Sequence, residues 1–524
     1  MSPSRRLLTL PLALLLALAM AVPVTAADRD RRTLERYAAD TWRSFVAMVD
    51  PETSLPADNI RGSLRASTRS EYTSPTNIGM YFWATLAARD LRLISDAEAI
   101  ERIDATLTTV EGLERHVPSG QFWNWYSPQT GDKLTVWPEN GDPVYPFASS
   151  VDNGWLASAL IMVANAVPEL HDRAWDLATD MDFGCYYDPG ANLIRGGFWL
   201  EGAAQPGSDG FPRDFYCDAT GIDVVYTGHH YGAFNTEPRI ASYIGIALEQ
   251  IPARHYFGGW RTFPPTCDWA WVETRPIGEW HEYLGVDVFE GAYAFDDQLV
   301  VPTWGGSMFE ALMVPLVVPE EEWGPMSWAV THPLYVESQI EYGLDEAYAD
   351  YGYWGFSPSS DPAGGYREYG VDAIGMEPNG YTSDVGRLSL VDAGFPDGEG
   401  GYCFDGPRER TPQPPPADYG QGVVTPHAAF LALDFDRAAT LENLANLAAD
   451  FDGLYGRGGF KDAVNVATGQ IADRYLALDQ GMVIAALANE LTNNQLQGYL
   501  AVTLQPSLQP LMAIEEFGAG RVEP

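Results

Sequence analysis

The chain of 524 residues carries 72 acidic against 31 basic side chains, a formal net charge of −41, and its lysines are Lys133 and Lys461 alone. Such a balance repels nucleic acid and anionic lipid and argues against a reader of phosphate backbones. With 46% hydrophobic and 12% aromatic residues the chain can bury a core, which excludes global disorder, and its self-repulsion points to a salty setting where counter-ions screen it.

Residues 1–26 read as a secretory signal peptide. Arg5 and Arg6 form a charged start, an apolar run covers 7–22, and Val24-Thr25-Ala26 places small residues for cleavage after Ala26, with Ala27 as the next choice. The expected location is therefore secreted, periplasmic or cell-envelope. No later stretch is both long and apolar enough to span a bilayer; the most apolar, 308–318, is too short.

In chain order, helical spacing predicts a helix over 31–49, with anchors at Leu34, Tyr37, Trp42 and Phe45. Ser74-Pro75-Thr76-Asn77 is a helix start feeding 78–91, and 95–113 follows as a second helix. The arrangement recurs at 149–166 with a partner at 168–180. Further helices are expected at 236–250, 305–317, 333–348, 425–433, 438–450 and 476–491. Strand signals are short: 197–200, 286–289 and 401–404. The connections are long and rich in Gly, Pro and aromatics, the longest being 351–422, and long loops belong at a working face.

Paired helices without βαβ alternation or a glycine fingerprint predict an all-α fold of helical hairpins closing into a toroid with long active-face loops. The expected division is an N-terminal helical extension over 27–70, a barrel over 71–495 and a C-terminal tail over 496–524. Cys185, Cys217, Cys267 and Cys403 allow three pairings of two disulfides, with Cys185–Cys217 preferred because it closes the shortest loop.

Carboxylates mixed with loop aromatics suit a sugar substrate, because flat rings stack on pyranoses while carboxylates accept hydroxyl hydrogen bonds. Trp123, Trp125 and Tyr126 form one such segment. Trp260, Trp269 and Trp271 form another, and Tyr351, Tyr353, Trp354 and Phe356 a third. Glycosidic hydrolysis needs two carboxyl groups about the bond, one protonated and one ionised. Asp152 precedes an apolar helix, where it equally suits a helix-start charge. Glu237 opens a helix behind an aromatic run, again a position any acid can fill. Glu310 lies inside an otherwise apolar helix, where a carboxylate is costly unless paired or functional.

His229, His230, Tyr231, Arg239, Trp304, Glu368, Asp372 and Asp479 are the further substrate-binding candidates, with Asp384 and Asp462 behind them. Solvated loop histidines and an Arg239 ion pair are the bland alternatives. Serine-hydrolase, zinc-protease and P-loop motifs are absent. No cofactor is required. A structural calcium ion stays open with no EF-hand pattern behind it, and no metal-ligand cluster is read from the sequence.

The runs YTSPTNIGMYFWATLAARDL (72–91), FWNWYSPQTG (122–131), SSVDNGWLASAL (149–160), YGAFNTEPRIASYIGIALEQIPARHYF (231–257), TWGGSMFEALMVPLV (303–317) and YLALDQGMVIAALAN (475–489) together resemble the bacterial glucoamylase-like family. That group includes endo-acting β-1,2-glucanases and is related to the hydrolase-like domain of cyclic β-1,2-glucan synthases. GYREYGVDAIG (365–375), VVTPHAAFLAL (423–433) and YGRGGFKDAVN (455–465) are similar too. The resemblance implies an (α/α)6 barrel and active-site acids at Glu237, Glu310 and Asp152. Thr236 stands where the family has serine, and 258–302 departs from the family norm.

The expected function is that of an exported glycoside hydrolase cleaving a polysaccharide or oligosaccharide, β-glucan among the candidates. Glu237 would protonate the leaving oxygen, Glu310 would activate water or attack, and Asp152 would hold a hydroxyl or serve as alternate base. The rivals are a non-catalytic carbohydrate-binding envelope protein, a transglycosylase and a polysaccharide lyase on the same barrel. A monomer binding sugar and not nucleic acid is the expected assembly.

Overall fold

Helices form where apolar residues recur at helical spacing, and their starts follow the caps written into the sequence. The computed structural model describes residues 26–213, 224–264, 276–376 and 422–522. The leader, Cys217, Cys267, Cys403, Trp269, Trp271, Asp384 and the strand expected at 401–404 lie outside the described residues. Among those that are described, no helix is long and apolar enough to cross a membrane.

The helices are α1 (Ala26–Met48), α2 (Pro75–Asp90), α3 (Asp96–Gly112), α4 (Ser150–Ala166), α5 (His171–Thr179), α6 (Arg239–Ala247), α7 (Met308–Leu312), α8 (Glu320–Trp323), α9 (Trp328–Leu344), α10 (Pro426–Leu431), α11 (Arg437–Asp450), α12 (Ala477–Thr492) and α13 (Gln495–Met512). Ser74 caps α2 by accepting from the Asn77 amide, with Pro75 at the first helical position, where its missing N–H costs nothing. Ser95 and Ser149 cap α3 and α4 in the same way.

The helix expected over 305–317 is broken into α7 and a 3-10 turn, Val314–Leu316. Gly305 and Gly306 take φ of 64° and 71°, and Pro315 cannot continue the ladder. A Cβ on Gly306 would stand 1.8 Å from the Val371 carbonyl oxygen, so this turn accepts glycine only.

Packing arranges α2, α4, α6, α7, α10 and α12 in a ring. Neighbours touch from α2 to α4 to α6, from α7 to α10 to α12, and from α12 back to α2. The step from α6 to α7 is made by Arg239, which donates to the carbonyls of Glu310 and Ala311. Outside this ring lie α1 against α12, α3 against α2, α5 against α4, α9 against α7 and α11 against α10. Inner helices such as α4 and α12 are buried almost all round, as a helix sandwiched on both sides must be. α13 packs against α2, α4, α6 and α12, so it touches opposite sides of the ring. Neither α1 nor α13 stands apart from this core.

The all-α expectation is corrected. Short antiparallel ladders connect the helices, and one four-stranded sheet is built from Ile277–Tyr283, Val286–Phe295, Gln298–Val300 and the late strand Gly520–Arg521. The strands read at 197–200 and 286–289 are present, the second as part of a ten-residue strand. This sheet occupies most of the segment whose sequence departs from the family resemblance.

Candidate active site

The inner helices begin on one face, and the ionisable residues gather where they begin. Asp152 is in the first turn of α4, Glu237 lies just before α6, Glu310 is in α7, and Asp479 is in the first turn of α12. Unpaired N–H groups and aligned peptide dipoles make helix starts favourable to carboxylates. The hydrophobic ring buries Glu310 and Asp479 and leaves Asp152 and Glu237 half-buried.

Asp152, Glu237 and Glu310 are brought together, as the sequence reading grouped them. The Thr76 hydroxyl donates to Oδ1 of Asp152 at 2.6 Å. Nε1 of Trp155, one turn along α4, donates to Oε2 of Glu237 at 2.6 Å. Oε2 of Glu310 accepts from the Glu237 amide at 2.9 Å and from the Thr236 hydroxyl. Burial, then the neighbouring Glu310 charge, pushes the Glu237 carboxyl well above the usual carboxylate range, against the opposing Trp155 hydrogen bond. Burial raises Glu310 to about 7, with the Thr236 and Glu237 donors pulling the other way. Asp152 is raised by burial, restrained by the hydroxyls of Thr76, Ser149 and Ser74. Glutamate carboxyls raised in this way, against the lowering effect of Arg239, can be protonated near neutral pH, which a proton donor requires.

Arg239 does not reach a ligand. It is buried, its guanidinium pairs with both carboxylate oxygens of Glu320 at 2.8 Å, and its remaining donors go to the carbonyls of Thr236, Glu310 and Ala311. Its place is behind the acids, where it ties the Glu237 segment to α7.

The aromatic candidates divide. Trp123 and Tyr126 are core residues, at 2% and 0% exposure, and the Tyr126 hydroxyl donates to the Glu114 carbonyl. Trp125 is half-buried in a cluster with Tyr72 and Trp137. Trp354 and Phe356 are buried too. Tyr231 is half-buried and lies within electrostatic reach of Glu237, Asp152 and Glu310, which, after burial, raise its phenol. Trp304 packs beside Trp260 on the small cluster of Ala233, Phe263, Tyr293 and Met376. His230 meets Oδ2 of Asp188 at 2.9 Å, where Arg195 also donates, and His229 is exposed, edge-on to Tyr231. Glu368 is exposed and its charge acts on Glu310. Asp372 falls in the turn Asp372–Ile374, and its side chain lies outside the described residues.

Asp479 belongs to a second cluster, with His427 and Asp462, all three buried. Burial of its hydroxyl, then the charges of Asp479, Asp462, Glu237 and Asp58, raises the phenol of Tyr366, so both clusters act on one residue. Thr76, Trp155, His427 and Tyr366 escaped the sequence reading. All four lie within runs that carry the family resemblance, 72–91, 149–160, 423–433 and 365–375, and Trp155 stands one helical turn beyond Asp152.

A glycoamylase family model, described as "Putative glucoamylase", matches residues 274–498, and a model for proteins of unknown function (DUF3131) matches 36–185. The cyclic β-(1,2)-glucan synthase NdvB of Rhizobium meliloti (strain 1021) is 22% identical across 88% of this chain. The chain spans only 18% of the length of that curated relative. An endo-β-1,2-glucanase from Chitinophaga pinensis, solved with sophorotriose and glucose, superposes with a TM-score of 0.60 at 15% identity, covering 93% of this chain and 98% of that one. An endo-β-1,2-glucanase from Talaromyces funiculosus, solved with sophorose, gives 0.61 at 12% identity over 94% and 91%. At these identities the shared property is the fold.

Proposed function

We propose that this chain is an exported glycoside hydrolase acting on a β-glucan, with β-1,2-linked glucan as the first polymer to test. The observation that carries the reading is the convergence of Asp152, Glu237 and Glu310, from three chain segments, into one water-poor centre whose nearest guanidinium is already committed to Glu320. A structural ion-pair network would distribute arginines among its acids; this centre does not. The similarity to NdvB and to the two glucanases supports the linkage.

In this reading Glu237 is the proton donor. Burial and the neighbouring Glu310 charge raise its carboxyl well above the usual range, and the indole of Trp155 holds Oε2, leaving Oε1, which has no hydrogen-bond partner among the described residues, to meet the leaving oxygen. Glu310, held by the Thr236 hydroxyl and the Glu237 amide, is the partner that activates water or attacks the anomeric carbon. Asp152 holds a sugar hydroxyl from the α2 side. Trp125 and Tyr231 supply ring faces, and the raised Tyr231 phenol remains a neutral donor.

The test is release of reducing ends from β-1,2-, β-1,3- and β-1,4-glucans by the mature protein, with Glu237→Gln and Glu310→Gln run alongside. Loss of about 10²–10⁴-fold in kcat for Glu237→Gln, with polymer binding retained, is the expected result. Inert wild-type protein that binds glucan equally well with or without the two glutamates would move the reading to a carbohydrate-binding protein. Export is tested separately, by the N-terminal sequence of protein recovered outside the cytoplasm, expected to begin at Ala27 or Asp28.

A further inference from the structure

The acids outside the reaction centre show how this protein usually houses a buried carboxylate. Glu320 has the guanidinium of Arg239, Glu515 that of Arg261, and Asp188 that of Arg195. Asp462 and Asp479 break the pattern. They are 2% and 1% exposed, and among the described residues neither has an arginine or lysine within ion-pairing distance. Both carboxylate oxygens of Asp479, Oδ1 of Asp462 and Nε2 of His427 find no hydrogen-bond partner. Buried polar atoms left so are costly, and several in one place point to something that belongs there.

We propose that His427, Asp462 and Asp479 bind one divalent metal ion of the kind that takes both nitrogen and oxygen ligands, zinc or manganese, with Asp58 at the rim of the site. Each of the three offers a ligand atom, and these atoms all lie within 4.8 Å of one another. Nδ1 of His427 stands 3.3 Å from Oδ2 of Asp479. Two carboxylates and a neutral imidazole balance a charge of +2, which removes the electrostatic penalty that Arg474, beyond ion-pairing distance, offsets only at Asp462.

The ligands are positioned by other groups, as metal ligands usually are. The Ser360 amide donates to Oδ2 of Asp462 at 2.6 Å. The Thr425 hydroxyl donates to the Asp462 carbonyl at 2.6 Å and accepts from Nδ1–H of His427 at 2.7 Å, which fixes the imidazole and leaves Nε2 as its ligand atom. His427 and Asp479 sit in the first turns of α10 and α12, neighbours in the ring. Asp58, held by the side-chain amides of Asn59 and Asn77, acts electrostatically on Asp479. Without metal, a proton shared within the cluster serves in its place, so binding releases protons and tightens as pH rises.

The experiment is independent of hydrolysis. Purified protein is stripped with chelator, then titrated with Zn²⁺ and Mn²⁺ by calorimetry in high salt, with Ca²⁺ and Mg²⁺ as controls for diffuse attraction to an acidic surface. Co²⁺ is used in parallel as an optical probe. The expected result is one saturable equivalent, a rise in melting temperature, and visible Co²⁺ bands. Asp462→Asn and His427→Gln should each weaken binding at least about tenfold. Should those variants misfold, the Co²⁺ spectrum of the wild type decides alone, since ligation by an imidazole nitrogen gives bands that hydrated ions on surface carboxylates do not. Absence of a saturable equivalent, or binding indifferent to both substitutions in folded protein, overturns the site.

Discussion

Trp155 shows how much one side chain settles at the reaction centre. Its indole N–H donates to Glu237, so it stabilises the ionised form and opposes the burial that keeps the proton on. Trp155→Phe removes the donor and keeps the ring. Loss of a hydrogen bond to a charged group, worth about 1.5–3 kcal/mol, should move the alkaline limb of the pH–activity profile upward by about one unit or more. The measurement is kcat/KM against pH; an unmoved limb would show that Glu237 is not the group that limb reports. Arg239 carries the opposite lesson. It reads as a sugar ligand from its place two residues beyond Glu237, whereas it lies behind the acids in a buried pair with Glu320. Arg239→Met leaves Glu320 as a lone buried charge and should destabilise the fold by about 3–5 kcal/mol in denaturant titration. The sequence put Asp152 and Glu237 at helix starts and Glu310 within an apolar helix, because an acid beside an apolar run is visible; the break at Gly305-Gly306 moves Glu310 to a first turn as well. Which way a neighbouring guanidinium turns is decided by Glu320, eighty-one positions away in the chain, and no local pattern carries it.

Among the elements, α13 was the one hidden from periodicity. Pro506 and Pro510 lie inside it, residues that ordinarily argue against a helix, and the segment reads as a tail. The structure keeps the helix because Leu496, Leu500, Leu504 and Leu508, one turn apart, are each fully buried against the ring. Tertiary packing overrides local propensity here. Leu504→Ala should cost about 2–5 kcal/mol, a core loss rather than a surface one, by the shift of the chemical denaturation midpoint. By contrast α2, α3 and α4 were legible to within a few residues, since serine caps and uninterrupted apolar faces mark both ends. The helix expected over 305–317 fails for a local reason the sequence does contain: two glycines in left-handed conformation ahead of it and a proline within it. The four-stranded sheet was only glimpsed at 286–289, because its last strand comes from Gly520–Arg521, more than two hundred residues away.

For the molecule as a whole, net charge and buried acids both act on stability, with different signatures. Glu310 and Glu321, raised by burial to about 7, and Glu290, raised to about 8, bind protons more tightly folded than unfolded. Their contribution is full below the unfolded carboxylate range and is lost as pH rises through the folded values, so melting temperature should fall between about pH 5 and 8. Glu310→Gln should flatten the part of that fall below about pH 7. The charge of −41 adds self-repulsion that salt screens, so added salt should raise the melting temperature at pH 8 more than at pH 5, where part of the charge is neutralised. The ring is closed by contacts between α12 and both α1 and α2, and the buried Arg261 receives its partner Glu515 from near the C-terminal end. Glu515 is translated 254 residues after Arg261, once every helix of the ring has been made. Until then Arg261 has only Glu290, 3.7 Å from its Nε, so a chain cut before Glu515 would keep one of the two counter-charges of this buried cation and lose the other.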